Sequence, residues 1–118
     1  MQLRYEVFHQ EVSKVVRFYT EVLRFEVLDH HEDGAPEYAT LRRGGVRVGC
    51  CEFRDAATGP RRPPRGSEIV LVVDDIEAEY AAVRAAGCQL ADDLMRRPWG
   101  LRDFRLFDPS GQYLRVTE

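Results

Sequence analysis

The sequence lacks any long apolar segment. Its longest apolar runs, such as residues 69–73, are far shorter than the roughly 20 residues that a membrane-spanning helix needs. Residues 1–8 also lack the apolar centre of a secretory signal peptide. We therefore expect a cytoplasmic protein that does not bind membranes.

Cysteine is scarce as well. The three cysteines, Cys50, Cys51 and Cys88, are an odd number and form no CxxC pair. Neighbouring residues of a strand point to opposite faces, so Cys50 and Cys51 suit neither a disulfide nor a zinc cluster. We expect all three thiols to be reduced and to pack as small apolar side chains.

Several motifs that carry chemistry are absent. The sequence has no GxGxxG, GxxxxGK[ST], GxSxG or HExxH motif, which argues against dinucleotide, nucleoside triphosphate, serine hydrolase and zinc protease sites. The net charge of −3 argues against a nucleic-acid partner, because such proteins usually carry a concentrated positive excess. Of the 17 basic residues, all but Lys14 are arginine, the side chain that binds carboxylates in a bidentate manner.

The first half of the sequence has the pattern of a βαβββ unit. Residues 3–9 alternate as a strand does, and the apolar residues of 12–23 recur at helical spacing. Three further stretches have the composition of strands, namely residues 25–28, 38–42 and 46–53, the last two flanking a Gly44-Gly45 turn.

The same pattern begins again after residues 54–66, which hold three of the six prolines and no hydrophobic periodicity. Residues 69–73 form a β-branched strand, and residues 76–86 form an alanine-rich helix with Asp74 or Asp75 as N-cap and Gly87 as C-cap. Three strands are predicted to follow, at residues 88–91, 101–107 and 113–116. A shift of 64 positions superposes the strand and helix of the two halves. We predict one α+β domain over residues 1–118, with module 1 at 1–53, a linker at 54–66 and module 2 at 67–118.

Three stretches of the sequence resemble the vicinal oxygen chelate superfamily, which includes glyoxalases, extradiol dioxygenases and bleomycin-type antibiotic-binding proteins. They are residues 11–28, 72–87 and 97–118. The Pro98-Trp99-Gly100 segment looks most like the antibiotic-binding branch. The resemblance implies that each βαβββ module curls into a half-barrel, that two modules enclose a cup, and that the protein forms a homodimer.

The resemblance also identifies where a metal site would be. Catalytic members hold a divalent ion with histidine, glutamine or glutamate, and the matching positions here hold Arg4, Glu68 and Arg115, while the fourth falls near Gly49 or Cys50. Arginine offers hydrogen-bond donors only and is a poor metal ligand. The departures therefore favour a cup without a metal or other cofactor.

Nine residues are candidates for binding a small molecule in the cup, and none is assigned as catalytic. The charged candidates are Arg4, Glu6, Glu68 and Arg115, and the aromatic ones are Phe8, Tyr38, Phe53, Trp99 and Tyr113. Arginine and glutamate could bind a polar group while the aromatic rings stack on the ligand. The competing interpretation is that the charges neutralise each other and most of the aromatic side chains are core residues.

Three functions remain open at this point. The first is metal-independent binding of an aromatic natural product or antibiotic, for resistance or sequestration. The second is a metal-dependent glyoxalase- or dioxygenase-like enzyme that uses Glu52, Glu68, Glu118 or a histidine as ligands. The third is a metal-free enzyme of natural-product biosynthesis in which Glu6 or Glu68 acts as general acid or base.

Overall fold

The computed structural model describes residues 1–118 and contains eight strands and two helices. In chain order they are β1 (Arg4–His9), α1 (Val12–Arg17), which continues as a π-helical segment (Phe18–Val22), β2 (Glu26–His31), β3 (Tyr38–Arg43), β4 (Val46–Glu52), β5 (Ile69–Val72), α2 (Ile76–Ala85), β6 (Leu90–Arg96), β7 (Arg102–Phe107) and β8 (Tyr113–Thr117). Neither helix has the length and apolar character required to cross a lipid bilayer.

The strands form two four-stranded sheets with the same internal order. Sheet one has the order β1-β4-β3-β2, and sheet two has the order β5-β8-β7-β6. In each sheet the first and last strands of the module run parallel, and the other neighbours run antiparallel. The α+β class and the two βαβββ modules predicted from the sequence are confirmed, and the two sheets do not close into a barrel.

Two strands differ from their predicted bounds. Strand β2 extends to His31, because its pairing with β3 continues past a register shift between Val27 and Asp29. Strand β6 was expected at residues 88–91 but lies at Leu90–Arg96, where it pairs with β7 up to Arg102. Both strands are rich in charged residues and only partly buried, so they lack the apolar alternation that would have revealed their length.

Helix α2 has the predicted caps. The side chain of Asp75 accepts a hydrogen bond from the backbone N–H of Ala78 at 3.0 Å, which satisfies one of the free donors of the first turn. Gly87 follows the helix with a φ of 74°, a left-handed conformation that a side chain would disfavour. The N–H of Cys88 then donates to the carbonyl of Val83, which ends the helix.

One buried hydrogen-bond chain joins the two modules inside the common hydrophobic core. The hydroxyl of Tyr19, a fully buried residue, donates to Asp108 Oδ2 at 2.6 Å and accepts from the hydroxyl of Tyr5 at 3.1 Å. Burial and the nearby Asp108 carboxylate raise the pKa of Tyr19 well above its usual value, so the phenol stays protonated. This chain fixes the first helix against the turn before β8.

A second connection between the modules is ionic. Glu79 of α2 is only 3% exposed, and Arg43 of β3 donates to both of its carboxylate oxygens, at 2.6 and 2.7 Å. Arg24, which lies between the π-helical segment and β2, donates to the same carboxylate at 2.5 Å. A buried carboxylate requires such partners, so the contact holds α2 against sheet one.

The proline-rich segment 54–66, predicted as a linker, packs on module 2. Arg61 forms a parallel bridge with Gln112 and donates to the carbonyl of Ser110 at 2.7 Å. A β-carbon on Gly111 would lie 2.2 Å from the carbonyl oxygen of Gly59, so glycine permits this close approach. The segment is therefore positioned by backbone contacts that leave no periodic signal in the sequence.

Candidate functional site

Sheet one has one covered face and one exposed face. In β1, Tyr5, Val7 and His9 are partly or fully buried against the helix side, whereas the alternate residues are exposed. The exposed residues of β1 and their neighbours on β4 and β3 define a surface that we call the open face. Its members are Arg4, Glu6, Phe8, Tyr38, Thr40, Arg42, Arg47, Gly49 and Cys51.

The carboxylate of Glu6 lies at the centre of the open face. Glu6 is paired in register with Gly49 of β4, and a β-carbon at residue 49 would come within 2.1 Å of Glu6 Oε2. The hydroxyl of Tyr38 donates to the two carboxylate oxygens at 3.2 and 3.3 Å, and Arg4 Nε lies 2.8 Å from Oε1. Three neighbours thus hold one carboxylate in a defined position on a partly solvated surface.

Two aromatic rings lie beside this carboxylate. Phe8 and Phe53 pack edge to face with ring centroids 6.2 Å apart, although their side chains are 49% and 54% exposed. They border a cavity of about 580 Å³ that is lined by Glu6, Val7, Phe8, Phe53, Asp55, Ala56, Ala57, Arg61 and Gln112. This volume falls in the range of small-molecule sites, which are lined predominantly by hydrophobic and aromatic side chains.

The corresponding face of sheet two is covered at Tyr113 and Asp103, whereas Val72 of β5 stays 75% exposed. Tyr113 is only 2% exposed, because the guanidinium of Arg62 lies 5.5 Å from its ring centroid and Phe107 packs against its edge. The fully buried Asp103 accepts hydrogen bonds from Arg97 at 2.7 Å and from Arg105 at 3.2 Å. Tyr113 therefore offers no free aromatic surface within one chain, and its role in ligand binding stays a prediction.

The two other charged candidates form a separate pair. Arg115 Nη2 lies 3.6 Å from Glu68 Oε2, which is an ion pair rather than a hydrogen bond. Arg115 Nε is buried and has no hydrogen-bond partner. No hydrogen bond or ion pair links this pair to Arg4 and Glu6 on sheet one, so the structure groups the four predicted charges two by two.

Trp99 lies in the turn between β6 and β7. It is 57% exposed and is followed by Gly100, whose φ of 99° closes the turn. It does not line the cavity beside Phe8. Its part in ligand binding stays a prediction, although an exposed indole can still report a change of environment.

The donor set does not suit a divalent metal ion. The positions that correspond to family ligands hold Arg4, Glu68 and Arg115, and arginine has no lone pair to offer a metal. The structure contains no group of three or more histidine, cysteine, aspartate or glutamate residues arranged to hold one. Cys50 adds no reactive thiolate to sheet one, because burial raises the pKa of its thiol to about 12.

Several residues of the cavity were not predicted. Arg61 and Gln112 reach it from the connecting segment and from the turn before β8, and residues 55–57 form one wall. For Glu6, which does line the cavity, the sequence offered one signal in Gly49, since a glycine inside a strand often marks the close approach of another group. The other contributions depend on how segment 54–66 packs, which the sequence pattern did not reveal.

The fold and the open face define an α+β protein of two βαβββ modules with one exposed sheet surface. The chain belongs to the Glyoxalase/Bleomycin resistance protein/Dioxygenase superfamily, whose family model matches residues 2–116. The resemblance seen in the sequence is thereby confirmed. The chain has no significant match among curated proteins.

Solved structures share the fold over almost the whole chain. TioX from Micromonospora sp. ML1 is 21% identical with a TM-score of 0.80, covering 100% of this chain and 98% of that chain. UcmS2 is 21% identical with a TM-score of 0.74, covering 99% and 96%. A glyoxalase/bleomycin resistance protein/dioxygenase from Alicyclobacillus acidocaldarius is 18% identical with a TM-score of 0.78, covering 99% and 89%. At these identities the likeness shows the fold alone.

Proposed function

We propose that this protein binds an aromatic small molecule, of the natural-product or antibiotic type, on its open face without the help of a metal ion. The observation that carries the proposal is the half-exposed Phe8–Phe53 pair at the mouth of a cavity of about 580 Å³. Both rings remain exposed although each could bury substantial apolar area, so a flat ligand would gain hydrophobic and stacking energy there. The function served is resistance or sequestration.

The proposal includes a homodimer in the cytoplasm. Val72 of β5 is 75% exposed, and Phe8 and Phe53 on sheet one are about half exposed. Pairing of two copies would place sheet two of one protomer opposite the open face of its partner and enclose the cup. Three free cysteines fit a reducing compartment.

The direct test is a fluorescence titration with N-phenylnaphthylamine, an uncharged aromatic dye that brightens when it leaves water. We expect Phe53→Ala to weaken dye binding about tenfold, because one aromatic contact contributes on the order of 1–2 kcal/mol. Leu101→Ala is the control, since Leu101 is a similarly exposed apolar residue outside the cavity. Equal affinity of the wild type and the Phe53 variant would overturn the proposal.

Metal independence is tested separately. We expect protein purified without chelator to contain far less than one metal ion per chain. Addition of Mn²⁺, Ni²⁺ or Zn²⁺ should leave the dye affinity unchanged, because arginines occupy the matching ligand positions. One tightly bound ion per chain would favour instead the metal-dependent glyoxalase- or dioxygenase-like enzyme.

A metal-free enzyme is a second candidate, and the position of Glu6 favours it. The carboxylate is held by Tyr38 and Arg4 next to the cavity and has an oxygen available for a ligand proton. Glu6→Gln keeps the shape but cannot accept a proton. If a ligand of the protein is turned over, this variant should bind it and lose turnover, whereas retained turnover would exclude Glu6 as the base.

A further inference from the structure

Three arginines lie side by side across the open face. Arg47 of β4 is paired in register with Arg4 of β1 on one side and with Arg42 of β3 on the other. Arg4 forms an ion pair with Glu6, and Arg42 donates two hydrogen bonds to Glu26 Oε1, at 2.9 and 2.6 Å. Arg47, between them, makes no ion pair and no side-chain hydrogen bond. The row therefore holds three guanidinium groups and two carboxylates.

This arrangement is unfavourable for the sheet alone. Like charges directly opposite each other on neighbouring strands destabilise a sheet, and here the central arginine has a like charge on both sides. Arg43, the next residue along β3, shows the alternative, since it points to the other face and binds the buried Glu79. An arginine without an ionic partner, kept between two other arginines on the open face, indicates a place where an anion is bound.

We propose that Arg47 binds an anionic group, a carboxylate, of the same ligand whose aromatic part lies on Phe8 and Phe53. The inference rests on the proposed function and specifies its ligand class. Arg47 and Cys51, the neighbour of Phe8, are four residues apart on one strand, which corresponds to about 13 Å. Between them lies Gly49, above which the Glu6 carboxylate lies against the sheet, so the spacer of the ligand crosses over Glu6. The ligand is therefore an elongated aromatic acid with a spacer between ring and carboxylate.

The test uses two fluorescent acids that differ in spacer length, dansylaminohexanoic acid and dansylglycine, each compared with its methyl ester. We expect wild-type protein to bind the longer acid about fivefold more tightly than its ester, because the ester cannot form the ion pair with Arg47. The shorter acid, which cannot reach Arg47 with its ring on Phe8, should show no such preference. Arg47→Gln should reduce the affinity for the longer acid to the level of the affinity for its ester, and it should leave the affinity for the ester unchanged.

Arg17→Gln is the matched control. Arg17 lies exposed on α1, on the helix side of sheet one, so its removal changes the net charge by the same amount without touching the open face. The inference is overturned if acid and ester bind wild type equally, or if the preference persists in Arg47→Gln or is lost in Arg17→Gln. Equal preference for both acids would overturn the extended geometry. Failure of every dye to bind would overturn the proposed function itself, so the two failures are distinguishable.

Discussion

The carboxylate of Glu6 lies in the space where a side chain at Gly49 would begin. The two residues are register partners on the parallel strands β1 and β4, and a β-carbon at residue 49 would come within 2.1 Å of Oε2. The absence of a side chain on one strand therefore allows the carboxylate of the other to lie flat against the sheet. Tyr38 and Arg4 then hold it there.

Gly49→Ala tests whether this niche matters for binding. The added methyl group should push the Glu6 carboxylate away from Tyr38, and because that carboxylate ends a flexible, partly exposed side chain, the loss of folding free energy should stay below about 1 kcal/mol. We expect weaker binding of the dansyl dyes with nearly unchanged urea unfolding. Gly45→Ala is the control, since a β-carbon at residue 45 meets no atom within 4 Å. Unchanged dye affinity in Gly49→Ala would show that the niche does not contribute.

Glu79→Gln should destabilise the protein. Glu79 is 3% exposed and pairs with Arg43 and Arg24, whose side chains are 34% and 42% exposed and can regain water. We therefore expect a loss of about 1–2 kcal/mol, less than for a fully buried pair. Urea denaturation measures it, with Glu26→Gln, on an exposed pair, as a control that should change stability by less than about 0.5 kcal/mol. Equal effects of the two substitutions would contradict this interpretation of the contact.

Tyr19→Phe tests the buried chain between the modules. The substitution removes the hydroxyl that donates to Asp108 while Ser110 and Gln112 still donate to that carboxylate. We expect a loss of about 1.5–3 kcal/mol, because a buried hydrogen bond to a charged group is removed. A double-mutant cycle with Asp108→Asn should show coupling of more than about 0.5 kcal/mol. Additive effects would mean that the hydroxyl acts through other contacts.

Cys50 should be chemically silent in the folded protein. Its side chain is fully buried, and burial raises its pKa to about 12, so at pH 8 it remains a protonated thiol. In a Cys51→Ser, Cys88→Ser variant, we expect no reaction with Ellman's reagent until denaturant is added. The measurement is the release of thionitrobenzoate with time. Rapid reaction under native conditions would show that the strand opens locally.

Periodic features of the fold were visible in the sequence, and irregular ones were not. An aspartate N-cap at residue 74 or 75, the Gly87 C-cap and the repeat of 64 positions were predicted because each follows from local chemistry or from a pattern that recurs, and the structure has Asp75 as the cap. The extents of β2 and β6 were missed, because charged residues on half-exposed strands do not alternate clearly. Segment 54–66 was predicted as a linker without a packing role, but the guanidinium and the backbone N–H of Arg61 donate to the carbonyls of Ser110 and Gly111 in the turn before β8.

The candidate site also combines features that the sequence predicted with features that it did not. The sequence predicted that Arg4, Glu6, Glu68 and Arg115 face one cup, and within one chain they form two separate ion pairs. It could not show that the pairing of Glu6 with Gly49 would create a niche, because that depends on the register between two strands distant in sequence. It also could not show that Tyr113 would be covered by Arg62, a contact made by a segment without periodicity.

The sequence by itself determined the two βαβββ modules, because the spacing of apolar residues is a local property. It also determined that Arg4 and Arg115 are not metal ligands, because this follows from the chemistry of the side chain. The tertiary structure alone decided which face of each sheet is open. Sheet one keeps Phe8 and Phe53 exposed, whereas on sheet two Tyr113 and Asp103 are covered by Arg62, Arg97 and Arg105, and Val72 stays largely exposed. That difference arises from contacts between residues far apart in the chain. Their contribution to the folding free energy depends on the positions that the assembled sheets give them.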